Sequence, residues 1–163
     1  MIRRKCSGAA AVSNPLSHPA APYSVTVGGK TAAVDFVGGA EGLLMAPVYA
    51  VPRLLARNNL RLQDFDYYEI HEAFAAQVLC TLKAWTDPAF CRDKLGLPAP
   101  LGTIDRAKLN VKGGSLAIGH PFAATGGRIV ATLAKILDEN KAKRGLISVC
   151  TAGGMGVTAI LER

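Results

Sequence analysis

Two histidines and one cysteine stand where a folded chain could bring them to chemistry. His71 follows the strand-like run Asp66–Ile70, and His120 sits in a glycine-dense stretch just before Pro121. Cys150 ends an apolar run ahead of Gly153, Gly154 and Gly156. A thiol titrates near the working range and a neighbouring imidazole favours its thiolate, so such a cysteine and histidine can form an acid–base pair. The glycine turn after Cys150 offers backbone N–H groups to a developing oxyanion. Spacing alone leaves the three unlinked, with acyl and enolate chemistry both open. The plain alternatives are a helix-capping role for His120 and a strand-end role, satisfied by backbone, for His71. His71 and Glu72 open no zinc-protease helix, because position 75 is alanine where a second histidine is needed, and no metal site is expected. Cys6 precedes a run of small residues, yet nothing upstream could form the strand that would aim it.

The elements that must position these groups follow from pattern. Tyr23–Val27 and Ala32–Val37 are rich in β-branched and aromatic residues and flank Gly28, Gly29 and Lys30, which predicts a hairpin or a turn into one strand. Leu43–Arg57 predicts a helix with Val48, Val51, Leu54 and Leu55 on one face. Pro47 suits its first turn, whereas Pro52 should kink or restart it. A helix from His71 to about Trp85 would turn Phe74, Val78 and Leu82 inward. Thr86–Lys108, with three prolines and two glycines, is too long for an ordinary connection and reads as a flap, a partner contact or an insertion. Cys80 and Cys91 at its edges read as a core thiol and an idle one.

The segment Lys112–Gly119 reads as a loop that enters a helix at Pro121, with Phe122, Ile129, Val130, Leu133, Ile136 and Leu137 on its apolar face. At the mouth of that helix the dipole favours the neutral imidazole of His120. Ala123, Ala124, Gly126 and Gly127 keep the first turns thin enough for another backbone or a ligand to approach. Leu146–Cys150 and Val157–Leu161 are two strands joined by a tight turn, hence antiparallel. The succession gives an α/β domain, a single layered half with a mixed sheet flanked by helices. Residues 1–30 read as an irregular lead-in and 31–163 as the domain, with 86–108 its long loop or insertion.

Half of the 163 residues are hydrophobic, enough for one domain with a core. No apolar run reaches transmembrane length, and four cysteines without paired spacing suggest neither a disulfide framework nor a zinc site. A reduced, cytoplasmic protein is expected. The basic, acid-free first 34 residues leave a mitochondrial transit segment as the alternative. The net charge of +7 could serve nucleic acid, but aromatics are sparse and no basic helical stripe appears, so nucleic acid is not the expected partner. A polyanionic small molecule would use the same charge.

Three motifs taken together carry a resemblance. They are Gly119, His120 and Pro121 after the run Asn110–Ser115, Cys150 before Gly153–Gly156, and His71, Glu72, Ala73, Phe74 and Ala75. From roughly Ala33 to Arg163 the chain resembles the C-terminal half of a thiolase, the family of acetyl-CoA acyltransferases. Many thiolases carry asparagine in place of His71. The histidine form and the long 86–108 segment resemble the branch that holds the β-subunits of trifunctional β-oxidation complexes.

The resemblance implies thiolysis of a 3-ketoacyl-CoA, or the reverse Claisen condensation, by a ping-pong route through a cysteine of the N-terminal half. His120 matches the base that activates that cysteine, and Cys150 the group that moves a proton to or from the α-carbon. His120 with His71, through a water, matches the hole for the enolate oxygen. The Ala152 N–H, beside Gly153, matches a donor to the tetrahedral intermediate, although many thiolases have glycine there. Gly119 belongs to the same loop set, and Phe74 and Phe122 would border the acyl-CoA, Phe74 along the pantetheine channel. The implied substrate is coenzyme A or acyl-CoA, with no permanently bound cofactor. The implied partner is a thiolase N-terminal half, or a homo-oligomer, covering an exposed apolar face. A non-catalytic module that binds CoA or a partner subunit is the alternative.

Overall fold

The computed structural model describes residues 23–27, 30–38 and 44–163. Five strands form one mixed sheet: β1 (Tyr23–Val27), β2 (Lys30–Gly38), β3 (Tyr67–Ile70), β4 (Arg144–Thr151) and β5 (Met155–Glu162). Their order is β1-β2-β5-β4-β3, with β3 parallel to β4 and every other pair antiparallel. The hairpin β1–β2 is as its sequence predicts, and its first strand falls inside the stretch 1–30 read as lead-in. Residues 1–22, Cys6 among them, lie outside the described residues.

Alternation along the strands divides the core in two. Tyr68, Leu146 and Ile160 are neighbours across the ladder and pack with Val48, Val51, Leu54 and Leu55 of α1 (Ala46–Arg57). Ile147 and Ala159, one residue out of step, face Ile129, Leu133 and Leu137 of α5 (Thr125–Glu139). The sheet is therefore a layer between helices. Gly145 lets α5 close on β4, since a Cβ there would stand 2.6 Å from the Leu133 methyls.

Three expectations are corrected by local hydrogen bonding and backbone geometry. Helix α1 runs unbroken through Pro52. The missing proline N–H frees the carbonyl of Val48, and the indole N–H of fully buried Trp85 takes its place at 3.3 Å. Helix α2 (Ala75–Thr86) starts at Ala75, not His71. The His71 N–H still bonds the Ser148 carbonyl at 2.8 Å, so residue 71 continues the ladder, and Phe74 is extended. Helix α5 starts at Thr125, not Pro121, because Ala123 takes a left-handed φ of 65° that no helix can contain. The loop before it holds a short helix, α4 (Ser115–Ile118).

The stretch 86–108 is folded down along much of its length. Asp87 caps α3 (Pro88–Asp93) by accepting from the Ala89 and Phe90 N–H groups, with Pro88 at the first turn. Cys91 is buried and is the core thiol, whereas Cys80 is exposed. Phe90, Leu95, Leu101 and Ile104 join the α1-side core. The Gln63 side chain donates to the carbonyls of Leu101 and Thr103.

Candidate active site

The parallel pair β3–β4 sets the rim on which the site is built. In an open α/β sheet the carboxyl ends of parallel strands and the loops after them share one edge. His71 leaves the end of β3, and Cys150 lies two residues beyond Ser148, the residue that His71 bonds on β4. The loop carrying His120 folds over the same edge. The two imidazole rings lie 4.3 Å apart, centroid to centroid, at 49°. The backbone N–H of Ala73, just past His71, is close enough to the Cys150 thiol to favour its thiolate. The three residues singled out by type thus lie at one edge of the sheet, the two rings in contact.

Their surroundings differ. His71 is 2 % exposed, and Nδ1 lies 3.0 Å from the Ser115 hydroxyl. Burial, then the nearby His120 and Arg128, push its pKa down, against an opposing pull from Glu72. His120 is exposed, with Nδ1 at 2.7 Å from the Thr125 hydroxyl. Cys150 is 5 % exposed, and burial pushes its thiol up, only partly offset by backbone N–H groups including that of Ala73. A neutral imidazole and a protonated thiol suit a site that passes protons.

The turn Ala152–Gly154 follows Cys150 closely and is exposed at Ala152 and Gly153. Gly153 and Gly154 have φ of 82° and 77°, the left-handed region that glycine serves best. Gly119 precedes His120 with φ of 92°, so the histidine leaves a sharp bend. Phe74 and Phe122 depart from the helical pattern. Phe74 caps α2 and is 63 % exposed, instead of packing inward with Val78. Phe122 precedes α5, is 85 % exposed and meets the His120 ring edge-on at 5.0 Å, and Val130 also faces outward. Leu116, Ile118 and Met155 are further exposed apolar side chains in the segments that carry His120 and follow Cys150. A cavity of about 330 Å³ beside α2, lined by Leu79, Leu82, Ile104 and Arg106, includes none of the three candidate groups.

Several residues that build the rim carried no signal of their own in the pattern. Asn110 bonds both the N–H and the carbonyl of Ile70 at 2.9 Å, and donates to Glu72 at 2.7 Å. The other Glu72 oxygen accepts from the Leu116 N–H, so these two side chains clamp the loop of His120 to the end of β3. Both belong to the motifs that carry the resemblance, but their roles depend on pairing across forty residues. Arg128 donates to Ser115 at 3.2 Å, behind His71. Glu69, 1 % exposed on β3, is pushed up to about 7 by burial, with Arg128 pulling it down and Glu72 up. Among the described residues no group of three or more metal-ligating side chains occurs, and no helix is long and apolar enough to cross a membrane.

The fold is a mixed α/β layer whose edge carries two facing imidazoles, with a thiol and a glycine turn at the end of β4. Residues 25–163 match the thiolase C-terminal domain, and the chain belongs to that family. It is 45% identical over 130 residues to a 3-ketoacyl-CoA thiolase of Pectobacterium carotovorum, covering 80% of this chain and 30% of that protein. It is 46% identical over 122 residues to a 3-ketoacyl-CoA thiolase of Shewanella amazonensis, covering 75% of this chain and 28% of the relative. The chain thus spans less than a third of the length of these relatives.

Proposed function

We propose that this chain supplies the proton-handling half of a thiolase acting on 3-ketoacyl-CoA, and that the acyl-accepting cysteine comes from an N-terminal half. What supports the proposal is that His71 and Cys150 stand at the ends of the parallel strands β3 and β4, with the His120 ring 4.3 Å from that of His71. His120 takes the proton of the attacking thiol. Cys150 gives a proton to the α-carbon as the carbon–carbon bond of the ketoacyl chain breaks, or removes it in the condensing direction. His71 and His120 hold the enolate oxygen, and the Ala152 N–H, beside Gly153, holds the oxygen of the tetrahedral intermediate.

The raised thiol of Cys150 fits this division of labour, because a buried neutral thiol is ready to donate. Gly119 lets the His120 loop bend, Phe74 and Phe122 border the pantetheine arm and acyl group, and surface lysines and arginines meet the phosphates of coenzyme A. The apolar side chains around the rim are the ground on which the N-terminal half sits. Coenzyme A enters as substrate, and the assembled enzyme works in the cytoplasm.

The test is reconstitution with the nucleophile-bearing remainder of a relative such as the Pectobacterium carotovorum enzyme. Acetoacetyl-CoA thiolysis should appear with the wild-type chain and fall by about 100-fold or more in His120→Ala and Cys150→Ala. Undiminished rates in both variants would refute the roles assigned. Binding of CoA without any turnover would turn the reading to a non-catalytic module.

A further inference from the structure

The hydroxyls behind the two histidines differ in where their own hydrogens go. The Thr125 hydroxyl donates to the Pro121 carbonyl at 3.1 Å, one helical turn back. With that hydrogen committed, its oxygen can only accept from His120, whose Nδ1 lies at 2.7 Å. The Ser115 hydroxyl receives an N–H from Arg128 at 3.2 Å, and a guanidinium has no lone pair to offer in return. Ser115 is buried, and the His71 Nδ1 at 3.0 Å is the acceptor beside it among the described residues. The reverse arrangement, with His71 donating, would leave a buried serine O–H without an acceptor.

We infer that Ser115, held by Arg128, and Thr125 fix the two facing histidines in opposite neutral tautomers. His71 carries its hydrogen on Nε2, and His120 carries its hydrogen on Nδ1. One ring therefore presents an N–H to the site and the other presents a bare nitrogen. Resting on the thiolase reading above, this makes His71 the standing donor to a substrate oxygen and leaves the Nε2 lone pair of His120 free to take the thiol proton. Ser115, Thr125 and Arg128 are positioning residues, since they act through the rings. Among the described residues the guanidinium of Arg128 has no other hydrogen bond to hold it elsewhere, since Nε and Nη1 are buried without a partner there while Nη2 anchors Ser115. The charged and titratable groups facing His71 are His120, Arg128 and Glu72, and burial with the first two keeps its ring neutral.

The experiment is long-range proton–nitrogen NMR of the chain labelled with ¹⁵N-histidine, at mildly alkaline pH, with signals assigned by single histidine replacements. The expected spectrum shows Nδ1 of His71 and Nε2 of His120 with the shift of a bare ring nitrogen, and the other two nitrogens with that of a protonated one. The same tautomer in both rings, or the reversed pair, would overturn the inference on the wild-type spectrum alone. Ser115→Ala should move the His71 nitrogens toward the average of two tautomers and leave His120 in place, with Ser115→Thr restoring them. Thr125→Val should do the converse. A response of both rings to either change would count against separate control. Because no turnover is involved, the tautomers can fail while the thiolase reading stands, and failed reconstitution beside the expected spectrum would fault that reading alone.

Discussion

Replacing Glu69 by Gln separates the cost of a buried carboxylate from everything else in the domain. Glu69 lies on β3 at 1 % exposure, facing the α5 side, with Oε1 unpartnered. Burial raises its pKa from 4.5 to about 7, even with Arg128 working the other way. A raised carboxyl contributes stability that is complete below the unfolded value and is lost as pH rises through the folded one. One pKa unit is worth about 1.36 kcal/mol, so the wild-type chain loses on the order of 3 kcal/mol across that window, most of it between pH 5 and pH 8. Gln has the same shape and no titration. Urea unfolding of both proteins at the two pH values should show the variant gaining roughly 2–3 kcal/mol on the wild type at pH 8 relative to pH 5. Shifts from other groups are common to both and cancel. A difference that stays constant with pH would show that Glu69 does not titrate there, and would refute the reasoning about the Glu69–Arg128 pair.

Other perturbations test separate parts of the structure. Gly156→Ala would put a Cβ 2.7 Å from the Pro47 nitrogen and 2.8 Å from the Ala46 carbonyl carbon, so α1 must shift. A loss of about 1–3 kcal/mol in urea unfolding is expected. Gly126→Ala meets no atom within 4 Å on the exposed start of α5, and should gain about 0.5–1 kcal/mol. His71 has a lowered pKa, so its contribution is complete above the unfolded histidine value and fades as pH falls through the folded one. His71→Asn should accordingly lose less stability than the wild type when the pH is lowered from about 7 to 5, as read by denaturation midpoints.

Much of the layer architecture was legible in the pattern, and the site only in outline. The hairpin, the antiparallel pair around the 152–154 turn, the apolar face of α1 and the Ile129, Leu133, Ile136 and Leu137 part of the face of α5 follow from pattern, whereas Val130 turns outward. The start of α5 was not legible. Ala123 bears the left-handed φ that usually announces itself as glycine, and Pro121 looked like a first helical residue although it belongs to the turn before. Phe74 and Phe122 were misplaced for a related reason: an aromatic residue at helical spacing looks the same whether it faces a core or an open rim. The continuity of α1 through Pro52 depends on Trp85 from another helix, and the clamp of Asn110 on Ile70 joins positions forty residues apart. No local pattern records such pairings. The hydroxyls of Ser115 and Thr125 became informative only once their neighbours on both sides were known.

The most direct test of the proton-handling role is exchange at the α-carbon, without the acyl transfer that surrounds it. Acetyl-CoA in D₂O is incubated with the chain joined to a relative's N-terminal half whose nucleophilic cysteine is replaced by alanine, and deuterium in the methyl group is followed by mass spectrometry. Incorporation should proceed with the wild-type chain and stop with Cys150→Ala. Incorporation at the same rate without the Cys150 thiol would contradict the role given to it.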